Sequence, residues 1–213
     1  TVVSKFFAVY SSVAPAAGAM GIALVMGVGT NMAKEDYSDI ATALVQALPD
    51  FFVVIMDSNP GGFKKTDSTL FANALTTVDQ WFTQQRVGVQ GWLLGGHSAS
   101  GEACVEALNK GLVKVTSTVL AFVGFDPFKW QANAQNLYNL KLPSLIFAKT
   151  KKDCVSDLAN SGTGFHIHAT SPAGSSAAHN LLTFTDDTEH CVFANNGCNF
   201  FVVHSCGFSG SGV

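Results

Sequence analysis

The sequence predicts an α/β fold: one domain on a mostly parallel sheet, with helices covering both faces. Three observations carry that prediction. Short β-branched or aromatic runs alternate along the chain with segments of helical pattern. The strand-like runs are apolar throughout rather than at every second residue, as expected of strands buried on both sides. Hydrophobic residues make up 47% of the 213 residues and charged residues only 13%, enough apolar side chain to fill such a core in one domain.

In chain order, "KFFAVYSS" (5–12) and "GIALVMGVG" (21–29) read as strands and "KEDYSDIATALVQAL" (34–48) as a helix. "FFVVIMD" (51–57) is a strand, "DSTLFANALTTVDQWFTQQ" (67–85) a helix and "VQGWLLGG" (89–96) a strand. "SGEACVEALNKG" (100–111) is a helix closed by Gly111, a residue type suited to the left-handed turn that ends helices. The strand "TSTVLAFVGF" (116–125), a short helix "WQANAQNLYNL" (130–140) and the strands "LPSLIFAK" (142–149) and "NLLTFTD" (180–186) complete the set. No repeat or linker divides the chain, so 1–213 reads as one domain. The Gly/Ser/Ala-rich stretch 159–180 is expected to be a surface connection and 207–213 a disordered tail.

Charge and composition exclude some classes. A net charge of −3 gives no basic footprint for nucleic acid. The longest apolar stretch, "AAGAMGIALVMGVG", is too short and too rich in Ala and Gly for a membrane span. The first residue is Thr1, which leads us to expect a trimmed product, secreted or held in an organelle such as a plastid, with its targeting peptide removed. Of the five cysteines, Cys104 sits within a predicted helix and reads as a buried thiol. Cys154, Cys191, Cys198 and Cys206 fall in the last third, suggesting local disulfides.

In parallel sheets ligands bind beyond the carboxyl ends of the strands, so those ends hold the candidate site. "GGHSASGEAC" (95–104) joins a strand to a helix and places Ser98 where a nucleophile elbow would lift its hydroxyl. The usual pattern is G-x-S-x-G. Here Ser100 holds the last position and Gly101 comes one step late. The turn needs small residues on either side of the nucleophile, and Gly96 and Ser100 meet that need. "GVGTNM" (27–32) begins like a dinucleotide fingerprint, but Met32 replaces the third glycine. The loop better suits an oxyanion hole, with the Val28 N–H (or that of Gly29) acting together with the Ala99 N–H.

Serine needs a histidine base held by a carboxylate. His190, after the last predicted strand, is the candidate base. Asp126 and Asp153, each following a strand, are alternative acids. Asp126 leaves a fully apolar strand, where an unpaired carboxylate would be costly. His166 and His168 share one face if extended, yet no third ligand accompanies them at metal spacing, so no metal and no cofactor are expected.

Taken together these pieces resemble the α/β-hydrolase superfamily over nearly the whole chain, and within it suggest the chlorophyllases and the neighbouring lipase, cutinase and polyester-hydrolase branch. "VYSSVAPAAGAMGIALVMGVG" resembles the second and third strands with the oxyanion loop, and "GGHSASG" the elbow. "GFDPF" resembles the chlorophyllase motif that carries the acid, which implies Asp126. "LPSLIFAKTKKD" resembles the polyester-hydrolase strand, which implies Asp153. The chain departs at Met26, where the family has the His of its "HG" pair, and at Ser100.

The resemblance implies a serine esterase for apolar, lipid-like or polymeric esters, expected to be a monomer, and the short span between Asp126 and the next predicted strand leaves no room for a large lid. Gly29, Phe125, Phe128 and Trp130 would contact the substrate, and the site could work against a membrane or other apolar surface. Polyester hydrolases carry a bridge near the acid and base, implying Cys154–Cys191, with Cys198–Cys206 closing the C-terminal loop. Two other outcomes stay open. One is a thioesterase, lactonase or dienelactone-type reaction on the same triad, and the other a non-catalytic member binding an apolar ligand.

Overall fold

The structure, a computed structural model, describes residues 1–30, 32–58, 67–127, 142–149, 162, 179–183 and 190–195. Eight strands form one sheet among these residues: β1 (Val2–Val3), β2 (Phe7–Tyr10), β3 (Met20–Gly27), β4 (Phe51–Met56), β5 (Gly88–His97), β6 (Val119–Phe125), β7 (Ser144–Ala148) and β8 (His179–Thr183). Their order is β1-β2-β4-β3-β5-β6-β7-β8. β1 and β2 pair antiparallel with each other, and β2 with β4, while every later pairing is parallel. The predicted α/β class and mostly parallel sheet are therefore what the chain forms. β1 is an addition, too short to register as an apolar run.

The central strands bury both faces by alternation. In β3, Ala23 and Val25 join one core while Leu24 and Met26 join the other, as side chains of period two must. Helices α2 (Ser68–Gln84) and α3 (Ala99–Asn109) cover the first core, inserting Phe71, Leu75, Val78, Phe82 and Cys104 against Trp92, Leu94 and Phe122. Asp67 starts α2 by accepting the Leu70 N–H at 2.8 Å. Cys104 is a free thiol, and burial pushes its pKa far up.

Helix α1 (Ser38–Ala47) covers the second core with Ala41 and Val45, one turn apart. The helix predicted over 34–48 begins as a 3-10 turn, Lys34–Tyr37, before becoming α-helical. Two contacts fasten that turn to the end of β4: Lys34 N–H donates to Asp57 Oδ1 at 2.9 Å, and Lys34 Nζ meets Asp57 Oδ2 at 3.2 Å.

The last strand begins at His179, one residue before its predicted start. The predicted helix 130–140, most of the connection 159–180 and the tail 207–213 lie outside the described residues. No helix among the described residues is long and apolar enough to cross a membrane.

After β3 the chain leaves through α1 to β4 on one side, and after β5 it leaves through α3 to β6 on the other. The carboxyl ends of β3 and β5 thus form the topological switch point, where α/β sheets open a crevice. Because Phe71 is wholly buried in the larger core, Phe71→Ala is expected to lower unfolding free energy by about 3–5 kcal/mol. Urea denaturation checks this through its midpoint.

Candidate active site

Ser98 stands alone between β5 and α3. Its φ is 55° and its ψ −127°, a left-handed conformation that costs a non-glycine residue about 1–3 kcal/mol. Close packing enforces the turn. A Cβ at Gly96 would lie 2.8 Å from the Ser100 Cβ, and one at Gly101 would lie 2.6 Å from the Pro127 Cβ. The late glycine in the motif therefore has a cause: Pro127, just after β6, crosses over Gly101. Ser100 is wholly buried. Its hydroxyl donates to the Val28 carbonyl, and the Ser58 hydroxyl stands 2.8 Å away.

The oxyanion assignment needs correction. The Val28 N–H donates to the Met56 carbonyl at 3.2 Å, extending the β3–β4 ladder. The Gly29 N–H donates to the Tyr37 hydroxyl at 2.9 Å. Neither hydrogen is available to a ligand, so Gly29 also loses its expected substrate contact through that N–H. The Thr30 N–H, next along the loop, makes no hydrogen bond among the described residues. Ala99 opens α3, where backbone N–H groups have no partner within the helix.

His97 is buried, with its Nδ1 2.7 Å from the Tyr37 hydroxyl. It packs rather than reacts. Burial pushes the Tyr37 pKa up, opposed in part by the Gly29 N–H, so the phenol stays neutral.

Asp126 follows β6 with φ 42° and is completely buried. Its N–H donates to the Phe147 carbonyl at 2.7 Å. Its Oδ1 accepts the N–H of Gly162 at 2.8 Å and that of Lys149 at 3.3 Å. The elbow is adjacent, since His97 pairs with Phe125 and the Ser98 N–H donates to the Phe125 carbonyl at 3.3 Å.

His190 opens a 3-10 turn, His190–Phe193, and its imidazole lies outside the described residues. The turn itself is well placed. Phe193 sits 5.7 Å from the His97 ring and 5.5 Å from the Phe125 ring. Asn195, which the sequence reading missed, staples this turn to the start of α1. Its N–H donates to the Asp36 carbonyl at 2.6 Å, its Oδ1 accepts the Asp39 N–H at 3.0 Å and its Nδ2 meets Ser38 Oγ at 2.7 Å. A lone loop asparagine carries no signal that could have revealed this.

Phe125 is 2% exposed and stacks on Phe147 at 5.3 Å. It packs in the core below the site, with one side toward a groove. Phe125, Phe147, Phe193, Ile40 and Leu44 line an apolar groove of about 510 Å³ beside α1. Asp153, Cys154, Phe128, Trp130, Cys198, Cys206, His166 and His168 lie outside the described residues. Among the described residues no three His, Cys, Asp or Glu side chains are grouped to hold a metal ion.

The fold is similar to that of solved hydrolases. The chain is similar to a thermophilic esterase from Thermogutta terrifontis with butyrate bound (TM-score 0.63, 15% identity, 95% of this chain and 86% of that one). It is similar to an S-formylglutathione hydrolase from Agrobacterium tumefaciens (TM-score 0.60, 14% identity, 93% and 86%). A third likeness is to Zea mays acyl-protein thioesterase 2 (TM-score 0.54, 12% identity, 86% and 91%). No family model and no curated protein matches the sequence. The chain has the α/β-hydrolase fold.

Strain at Ser98 makes a stability prediction. Ser98→Gly is expected to raise unfolding free energy by about 1 kcal/mol, whereas Ser98→Ala, with its Cβ retained, is not. Paired denaturant titrations measure the difference.

Proposed function

We propose that the protein is a serine hydrolase of carboxylic esters, working through an acyl-enzyme on Ser98. The observation that carries this is the backbone of Ser98. A non-glycine residue in so strained a turn, at a switch point next to a buried carboxylate, is what a nucleophile elbow needs and what packing alone would not favour. In this reading Ser98 Oγ attacks the ester carbonyl while His190 takes its proton. Asp126 holds the imidazole and stabilises its charged form. Two backbone N–H groups donate to Asp126 Oδ1, so the buried carboxyl has partners where it leaves the sheet. The N–H groups of Ala99 and Thr30 would receive the oxyanion, His190 would pass its proton to the departing alcohol, and water, deprotonated in turn by His190, would release the acid from Ser98.

The esterases among its structural neighbours support ester hydrolysis. The thioesterase and the S-formylglutathione hydrolase among them favour thioesters as a second substrate class. For the natural substrate we favour an apolar or bulky ester, chlorophyllase-like, on the strength of "GFDPF" (124–128). Of the described cysteines Cys104 is free and Cys191 is not, which supports a Cys154–Cys191 bridge between the loops holding acid and base. Such a bridge suits a secreted or organellar enzyme.

Fluorophosphonate labelling followed by peptide mass spectrometry tests the reading. A single adduct on Ser98, absent in His190→Ala, is expected. A folded protein that takes no label would instead be a ligand-binding member of the fold. For the acid, Asp126→Asn should lower kcat by roughly 10⁴-fold, with Asp153→Asn near the parent rate. The reverse ranking assigns the acid to Asp153.

A further inference from the structure

We propose that Ser100 and Tyr37 are positioning residues that clamp the Val28–Gly29 peptide unit between them and so fix the Thr30 N–H as an oxyanion donor. This rests on the esterase reading of Ser98. A peptide unit is planar, with its C=O and N–H on opposite edges. The Val28 carbonyl accepts from Ser100 Oγ, and the Gly29 N–H donates to the Tyr37 hydroxyl at 2.9 Å. Two hydrogen bonds on opposite edges leave that plane no free rotation, and the Met32 N–H, donating to the Gly29 carbonyl at 3.2 Å, holds the next plane, which carries the Thr30 N–H.

Both clamps are tied to the elbow. Ser100 lies two residues after Ser98. Tyr37 reaches the residue before it, through the 2.7 Å contact with His97 Nδ1. Since the Ser100 proton goes to Val28, the Ser58 hydroxyl is the donor in the 2.8 Å Ser58–Ser100 contact. Tyr37 and Ser100 are wholly buried and Ser58 is 3% exposed, so water does not compete for these groups. Glycine makes the space: a Cβ at Gly27 would lie 2.8 Å from the Ser100 Cβ and 2.9 Å from Ser58 Oγ. The serine standing where the elbow motif has glycine thus has a task. Glycine at that position would leave the Val28 carbonyl without its donor and the oxyanion loop held on one side only. Preorganisation of this kind matters because a donor fixed before the reaction needs no reorientation during it.

The test is steady-state hydrolysis of p-nitrophenyl butyrate by the purified full chain, at a temperature where circular dichroism shows each variant folded. Ser100→Ala is expected to lower kcat about 10- to 100-fold while KM stays within about twofold, since the oxyanion forms only after binding. Tyr37→Phe, which keeps the ring in place, should do the same and serves if Ser100→Ala does not fold. The double variant should lose less than the product of the two, because either change frees the same peptide. Ser58→Ala, one bond further away, should lose less than Ser100→Ala. A folded Ser100→Ala or Tyr37→Phe with kcat within about twofold of the parent, or with its loss confined to KM, overturns the clamp and leaves the esterase reading intact. A parent protein that neither turns over the ester nor takes a fluorophosphonate overturns both.

Discussion

Between β5 and α3 the chain has one residue in which to turn from strand to helix, and most of the site follows from how that turn is held. Strand β5 must come close enough to β6 that a Cβ at Gly95 would fall 1.7 Å from the Val123 carbonyl oxygen. The helix must then pack back over Gly96 and under Pro127. These contacts leave Ser98 no ordinary conformation, and the surrounding sheet over-determines the strained one. The same approach sets Asp126 beside the elbow, because β6 ends level with β5 and Pro127 crosses over Gly101.

The two sides of the sheet divide the work. The core under α2 and α3 is apolar, with Trp92, Phe71, Phe82 and Phe122 wholly or almost wholly buried. Hydrophobic burial of this kind stabilises without specifying direction. One set of buried polar groups gathers at the carboxyl ends of β3 to β6: Ser58, Ser100, His97 and Asp126, with Tyr37 reaching in from the turn before α1. Buried polar groups are tolerable only when paired, and Ser58, Ser100, His97, Tyr37 and Asp126 each have a hydrogen-bond partner here. Their pairing supplies direction, which an apolar core cannot, and it makes the loop after β3 and the elbow one unit.

The strands were legible because burial on both faces writes continuous apolar runs: "FFVVIMD" forms a strand over all but its last residue, and "TSTVLAFVGF" forms one from Val119 on. The elbow was legible because small residues must flank a strained turn. The helix start was less so. "KEDY" has helical composition, but the contacts of Lys34 with Asp57 hold it as a 3-10 turn. Val28 was misjudged as an oxyanion donor because a sequence cannot say where a strand's ladder ends. The ladder runs one residue past Gly27, taking the Val28 N–H with it.

Taken alone, the sequence determined what depends on neighbours along the chain: fold class, strand and helix positions, the turn at Ser98 and a carboxylate leaving an apolar strand. The tertiary structure decided what depends on pairs far apart. Tyr37 meets His97 across 60 residues, Ser100 meets Val28 across 72, and Asp39 meets Asn195 across 156. Local propensity and periodicity report on a side chain's own backbone, whereas the partner of a buried hydroxyl or amide is chosen by which strand ends and turns the sheet order brings together.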